Sequence, residues 1–139
     1  MAHFAELNEN NIVQRVLVVD NKNIIDENNQ EQESIGVAFL QRLFGENTIW
    51  KQCSYNNNFR GRYPLNGYEY DENLDAFIGP KPYPSWSLNT ETTEWEPPTP
   101  RPPFEEYETY GKTTEWNEDT LQWDFICRDR YTGEQIECP

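Results

Sequence analysis

The chain is predicted to be α+β: a small N-terminal antiparallel sheet with one helix over residues 1–79, then a mainly β arm of short hairpins joined by Pro-rich connectors over 80–139. Three observations predict it. A run of strand-like residues at the start meets a single amphipathic stretch with helical spacing. A seven-residue spacing recurs three times in the second half: Tyr70 to Phe77, Leu88 to Trp95 and Trp116 to Trp123. Eight of the ten prolines fall between Pro80 and Pro103, where they punctuate that half rather than any compact core.

The elements follow in order. His3 to Leu7 and Ile12 to Val19 flank the polar run Asn8-Glu9-Asn10-Asn11, which predicts a β-hairpin. Val16-Leu17-Val18-Val19 is apolar on both faces and is predicted for the middle of a sheet. Asn21 to Gln32 is polar and reads as an exposed loop. Ser34 to Phe44 carries the helix, with Ile35, Phe39 and Leu43 recurring every four residues and Val37, Leu40 and Phe44 widening the stripe. Ser34 is suited to cap its start, and Gly45 to supply the left-handed residue that ends it. Trp50 to Tyr55 and Tyr68 to Ile78 are predicted to add strands, with a polar loop between them at 56–62.

Each copy of the seven-residue unit has a large residue, then Asp or Asn, a short polar stretch and a closing aromatic. Asp and Asn open turns because their side chains can bond the backbone two residues on, and the flanking large residues would then face each other across the strands. Pro80-Lys81-Pro82-Tyr83-Pro84 and Pro97-Pro98-Thr99-Pro100-Arg101-Pro102-Pro103 are stiff connectors, the second of polyproline II type. The unit starts lie 18 and then 28 residues apart, so no regular solenoid is expected. A last hairpin, Phe125 to Glu137, is predicted to turn at Thr132-Gly133. That turn would place Cys127 opposite Cys138 at a hydrogen-bonded pair, where side chains splay. A disulfide there is left open but disfavoured, because such bonds are rare in a reducing cytoplasm.

Charge excludes several classes. Residues 1–63 carry 8 acids against 6 bases and residues 64–139 carry 17 against 5, so most of the net −14 lies in the second half. This balance argues against nucleic acid as a partner, since phosphate binding needs Lys and Arg, and against anionic membrane surfaces. No stretch approaches the roughly 20 apolar residues of a membrane span. The start, Met1 to Glu6, lacks the regions of a secretory signal, so use without Sec-type export is expected.

Motifs of chemistry are weak. Asp71-Glu72-Asn73-Leu74-Asp75 opens like a calcium loop, but Ala76 stands where the sharp turn needs Gly and Pro82 where the bidentate Glu belongs. A hairpin turn with acids facing water is the simpler account. His3, Cys53, Cys127 and Cys138 lack the close-spaced pairs of a zinc site. One His at the N-terminus makes a Ser-His-Asp or Cys-His arrangement improbable. No catalytic, cofactor-binding or metal residues are assigned, and a non-enzyme is expected. The candidate contact residues are Tyr83, Trp86, Trp95, Trp116 and Trp123, because Tyr and Trp bury large area at low entropic cost. A hairpin alone is marginal in water. The arm is therefore expected to find its interior on a neighbour.

Several motifs in fixed order then carry a resemblance. They are Met1 to Leu7, Val16–Val19, Ile35–Leu43, Trp50-Lys51-Gln52-Cys53-Ser54-Tyr55-Asn56, Gly67-Tyr68-Glu69-Tyr70-Asp71, Asp75-Ala76-Phe77-Ile78, Pro80-Lys81-Pro82-Tyr83, Ser85-Trp86-Ser87-Leu88-Asn89 and Glu94-Trp95-Glu96-Pro97-Pro98. Over about residues 1–98 the chain resembles a group of small proteins encoded by tailed bacteriophages of cyanobacteria and other aquatic bacteria. The group has no established catalytic residues, so none are transferred. The resemblance implies a phage product made in the host cytoplasm. Composition adds the expectation of a virion structural protein, an accessory subunit decorating the capsid or attached to the tail, with other virion proteins or a homo-oligomer as partners. Two alternatives stand beside it: a tail module whose aromatics stack on host-surface glycan, and an acidic DNA-mimic inhibitor.

Overall fold

A computed structural model describes residues 1–139, with one helix and antiparallel strands in several small sheets. The chain divides into two compact units: residues 1–80 with 89–94, and residues 81–88 with 95–139. The tip of the central hairpin thus belongs to the first unit and its base to the second.

In the first unit, β1 (Ala2–Leu7), β2 (Val13–Val19) and β3 (Ile49–Cys53) form a sheet in the order β2-β1-β3. The central strand is β1, and the Val16–Val19 run lies on an edge strand, contrary to the sequence expectation. Burial explains the exchange. β1 alternates Ala2 and Phe4 toward one face with Ala5 and Leu7 toward the other, and all four are buried. The small alanines let layers close on both sides, whereas in β2 only Val13 and Val19 are buried.

On one face the helix α1 (Glu33–Phe44) packs over Phe4, Val19, Trp50 and Ile24. Gln32 takes the N-cap position without a side-chain bond, so Ser34 lies inside the first turn instead of capping it. The buried helical positions are Gly36 and Leu40, four residues apart, while Leu43 is 61% exposed. The stripe is rotated from the predicted one because Phe4 needs a helix face with no side chain: a Cβ on Gly36 would collide with the Phe4 ring and lie 2.9 Å from Ile24 Cγ2. Gly45 ends the helix at φ +122°, and its N–H bonds the Gln41 carbonyl.

The opposite face, Ala5, Leu7, Val13 and Cys53, is covered by Tyr70 and Phe77 of the hairpin β4 (Glu69–Asp71) and β5 (Ala76–Ile78), with Tyr63 and Tyr68 at its margin. Arg60 ties this layer to the others. Its Nη1 donates to Glu33 Oε2 at 2.6 Å and to the Gln52 carbonyl at 2.8 Å, and its Nε donates to Asp75 Oδ1 at 2.9 Å. Tyr70 also donates its hydroxyl to Asp75. The Tyr70 hydroxyl and the Arg60 guanidinium hold the Asp75 carboxyl below its ordinary range.

The next hairpin is β6 (Ser87–Asn89) with β7 (Glu94–Glu96). The second unit carries a four-stranded meander in which β8 (Glu105–Glu106), β9 (Tyr110–Asn117), β10 (Gln122–Asp129) and β11 (Gln135–Ile136) pair in sequence. Both edge strands are two residues long, which limits open strand edge.

Four hairpin turns share one construction. Asp71, Asn89, Asn117 and Asp129 each accept two backbone N–H groups, from the residues two and three positions on. The residue four positions on then takes a left-handed φ: Asp75 at 49°, Thr93 at 60°, Leu121 at 54° and Gly133 at 73°. The fourth copy differs from the predicted Thr132-Gly133 turn. Because Asp129 opens it, Arg130 to Gly133 form the loop and Cys127 faces Ile136 in place of Cys138. Cys138 lies two residues further along and reaches diagonally to Cys127, with 5.1 Å between their Cα atoms. The disfavoured disulfide is therefore present, because the register is shifted by two from the splayed arrangement.

Two outcomes are expected. Gly36→Ala should lose about 1–3 kcal/mol in urea unfolding despite the better helix propensity of Ala, since Phe4 has no space to retreat. Reduction of Cys127–Cys138 by dithiothreitol should cost about 2–4 kcal/mol in the second unit, as expected for a loop of this length, and raise amide exchange in residues 134–139.

Candidate functional site

The site is in the second unit and begins with a strand register. The Asn117 turn sets Trp116 directly opposite Trp123, and their ring centroids lie 5.2 Å apart in an edge-to-face arrangement. Trp86 meets Trp116 at 5.9 Å and Trp123 at 6.1 Å, and Tyr83 meets Trp86 at 5.7 Å and Trp116 at 6.5 Å. Four of the five candidate contact residues are thus gathered into one cluster. The fifth, Trp95, has the Lys81 ammonium 5.6 Å from its ring centre.

Trp116 is only 6% exposed, and Trp86 and Trp123 are half-buried, so the cluster is the second unit's own interior. The expectation that the arm lacks an interior is corrected here. The reason lies in the connectors, which fold back instead of spacing the hairpins apart. Trp123 Nε1 donates to the Thr99 carbonyl at 2.8 Å, and the Thr99 hydroxyl donates to the Leu121 carbonyl at 2.9 Å. Arg101 Nε donates to Thr114 Oγ1 at 3.1 Å, and its guanidinium stands 5.3 Å from the Trp123 ring centre. A polyproline-type segment has few conformations to lose, so it packs at low entropic cost.

Glu118 fixes the other side. It accepts Trp116 Nε1 at 2.7 Å, Ser85 N–H at 2.9 Å and the Ser85 hydroxyl at 2.7 Å. The Trp116 indole N–H, followed by Ser85, holds the Glu118 carboxyl below its ordinary value of 4.5. Sequence reasoning missed Glu118, Thr99 and Arg101. The available signals were the acid two residues after Trp116 and the only base within the second proline run.

A cleft of about 310 Å³ opens beside this cluster, lined by Trp86, Glu96, Pro97, Pro100, Arg101 and Trp123. Its walls are indole and pyrrolidine rings. Its charged groups are one carboxylate and one guanidinium, both from exposed residues.

Outside the cluster, the reactive side chains are engaged in packing. Burial pushes the Cys53 thiol up to about 12, so it carries no thiolate at neutral pH. His3 Nδ1 lies 3.1 Å from the Tyr63 hydroxyl, and its ring stacks on Tyr55. The structure groups no three His, Cys, Asp or Glu side chains so that they could share a metal ion. No helix is long and apolar enough to cross a membrane. Compared with family models, with curated proteins and with solved structures, the chain matches none.

The Glu118 contacts give a pH dependence with a definite sign. A carboxyl depressed in the folded state stabilises it above the ordinary value of 4.5, and that contribution is lost as pH falls through the lowered value. Glu118→Gln should therefore lower the thermal midpoint at pH 7 and make its decline below pH 4.5 shallower than in the parent chain, as read by tryptophan fluorescence.

Proposed function

We propose that this chain is a non-enzymatic virion protein, an accessory subunit that docks on neighbouring subunits of a tailed-phage head or tail. The observation that carries this reading is the exposed apolar surface of the second unit. Phe104 is 64% exposed, Phe125 52% and Tyr131 79%, on a unit of about 50 residues whose own core is already filled by indole rings. Contiguous exposed apolar patches mark protein contacts, and aromatic side chains are enriched at interfaces.

The strand register extends the same point. Phe125 follows Trp123 by two residues on β10, so both belong to one face of the meander. Where Trp123 is covered by the proline connector, Phe125 is open and has only the Lys112 ammonium 4.3 Å from its ring centre. The docking residues proposed are therefore Phe104, Phe125 and Tyr131, with Tyr83 at the rim of the cluster. Trp116 is assigned to the scaffold. The surplus acid of the second half serves solubility of the assembled surface.

Mass spectrometry of purified particles of the encoding phage tests this directly. The chain is expected in stoichiometric amount. Particles carrying Phe125→Ser with Phe104→Ser are expected to retain about a tenth of it or less, the effect of losing two central apolar anchors. Intact virions without the chain would overturn the proposal.

A further inference from the structure

The outer edge of β2 carries an apolar stretch whose backbone has no partner. Alternation along the strands shows which groups face outward. The Asn8 N–H donates to the Ile12 carbonyl at 3.0 Å, so on β1 the backbone groups of Glu6, Phe4 and Ala2 point toward β2. Their partners Arg15, Leu17 and Val19 point back to β1, which leaves Val16 and Val18 pointing away from it. Two other contacts agree with this phase. Val13 is bonded on its outer side, its N–H to the Tyr68 carbonyl at 2.7 Å and its carbonyl to the Gly67 N–H at 2.8 Å. On the far side of the sheet the Gln52 carbonyl of β3 points outward and accepts from Arg60 Nη1 at 2.8 Å. The N–H and C=O groups of Val16 and Val18 have no such bond.

Sheet edges are ordinarily kept short, charged, bulged or interrupted by proline, because a bare edge recruits further strands. The other sheet edges of this chain follow that rule. β8 and β11 are two residues long, and Arg60 covers β3 at Gln52. Residues 15–19 have none of these guards. The bulge lies before them, at Gln14. The Arg15 guanidinium is turned to Glu6 and to the Phe44 ring. Val16 and Leu17 are half-buried, and Val18 is 53% exposed.

The stretch is complementary to itself. A two-fold axis through Leu17, perpendicular to the sheet, sets Leu17 against Leu17 of a second copy and Val16 against Val18 of that copy. The outward-facing residues are then the hydrogen-bonded pairs, so every open group of Val16 and Val18 gains a partner. Arg15 falls opposite Val19 and Gln14 opposite Asp20, so no like charges meet. Residues 1–63 are also nearly balanced, with 8 acids and 6 bases, and the surplus acid lies elsewhere in the chain. The open part of β10 lacks this property. The Asp129 N–H bonds outward to the Glu134 carbonyl at 2.8 Å, so Trp123 and Phe125 face outward there. Self-pairing that joined those two residues would set Asp124 against Asp124.

We propose that β2 pairs antiparallel with β2 of a second copy of this chain. Two three-stranded sheets then become one six-stranded sheet in the order β3-β1-β2-β2-β1-β3. Val16–Val19 stands at the centre of that sheet, which accounts for a run that is apolar on both faces. The contact is confined to the first unit and does not rest on docking by the second.

Sedimentation velocity of the full chain over about 1–300 µM tests this, a span suited to an interface at the small end of the usual range. The mass is expected to rise from 16.5 kDa toward twice that value. Val18→Lys, which guards the edge, is expected to raise the concentration of half-dimerisation about tenfold or more, with an unchanged far-ultraviolet circular dichroism spectrum as the check on folding. Cross-linking fixes the register independently of that variant. Leu17→Cys is expected to form a disulfide-linked dimer in air, since facing residues at a non-hydrogen-bonded pair lie within bridging distance. Val18→Cys is expected to form little, because its twin is displaced by two residues. A monomer throughout the range, a dimer that folded Val18→Lys leaves intact, or cross-linking through Val18→Cys as readily as through Leu17→Cys would overturn the proposal.

Discussion

The architecture depends on one short-range interaction: a single Asp or Asn oxygen that accepts two backbone N–H groups and so closes a hairpin with one residue in the left-handed region. A turn of fixed length fixes register, and register decides which side chains meet. In two of the copies the outcome is a pair of large rings directly across the strands, Tyr70 with Phe77 and Trp116 with Trp123. One pair caps the N-terminal sheet and the other founds the core of the second unit. The same turn is therefore put to two uses, and the difference lies in what each ring pair then meets. Tyr70 and Phe77 find an existing sheet face, while Trp116 and Trp123 find a returning polyproline segment and the Tyr83–Trp86 turn. The left-handed residue carries a cost at Asp75, Thr93 and Leu121 that it does not carry at Gly133. At Asp75 and Leu121 the cost accompanies a turn that sets two rings across the strands.

Short-range features of this fold were legible in the sequence. The first hairpin, the helix and the seven-residue spacing follow from local rules about periodicity and turn chemistry. The failures are tertiary. The apolar Val16–Val19 run reads as a central strand, yet β1 takes the centre because Ala2 and Ala5 admit neighbours on both faces. The helical stripe reads through Ile35, Phe39 and Leu43, yet it turns to Gly36 and Leu40 because Phe4 demands the space of a missing side chain. A glycine inside a helical pattern ordinarily weakens a helix assignment. Here it locates the buried face. Asp129 was open to recognition as a fourth turn opener, and the Thr132-Gly133 pair concealed it. The error of two residues in register also concealed the Cys127–Cys138 bond.

The candidate site was legible as composition and illegible as geometry. Tyr83, Trp86, Trp116 and Trp123 stand out in sequence, but nothing local says that they pack on each other. The Asn117 turn sets Trp116 against Trp123, Glu118 holds Ser85 beside them, and residues 97–103 return onto Trp123 and β9 through Thr99 and Arg101. Proline connectors suggest separation because they are stiff. Stiffness also makes a segment a good wall, since little freedom remains to be lost when it is laid on a ring surface.

That same property explains why an open cleft persists beside a packed core. A flexible chain could bend into the space between Trp86 and Trp123 and fill it with its own side chains. A segment with prolines at 97, 98, 100, 102 and 103 bends little and keeps only the Thr99 and Arg101 backbone N–H groups as donors. The indole donors of Trp123 and Trp116 are spent on Thr99 and Glu118, and that of Trp86 is buried without a partner. What remains is an apolar hollow with the exposed residues Glu96 and Arg101 in its lining. Removing the prolines would free the connector to collapse onto the rings, and the core would gain burial while the hollow disappeared. The proline run is then better understood as a device that keeps part of an aromatic surface uncovered than as a spacer between hairpins.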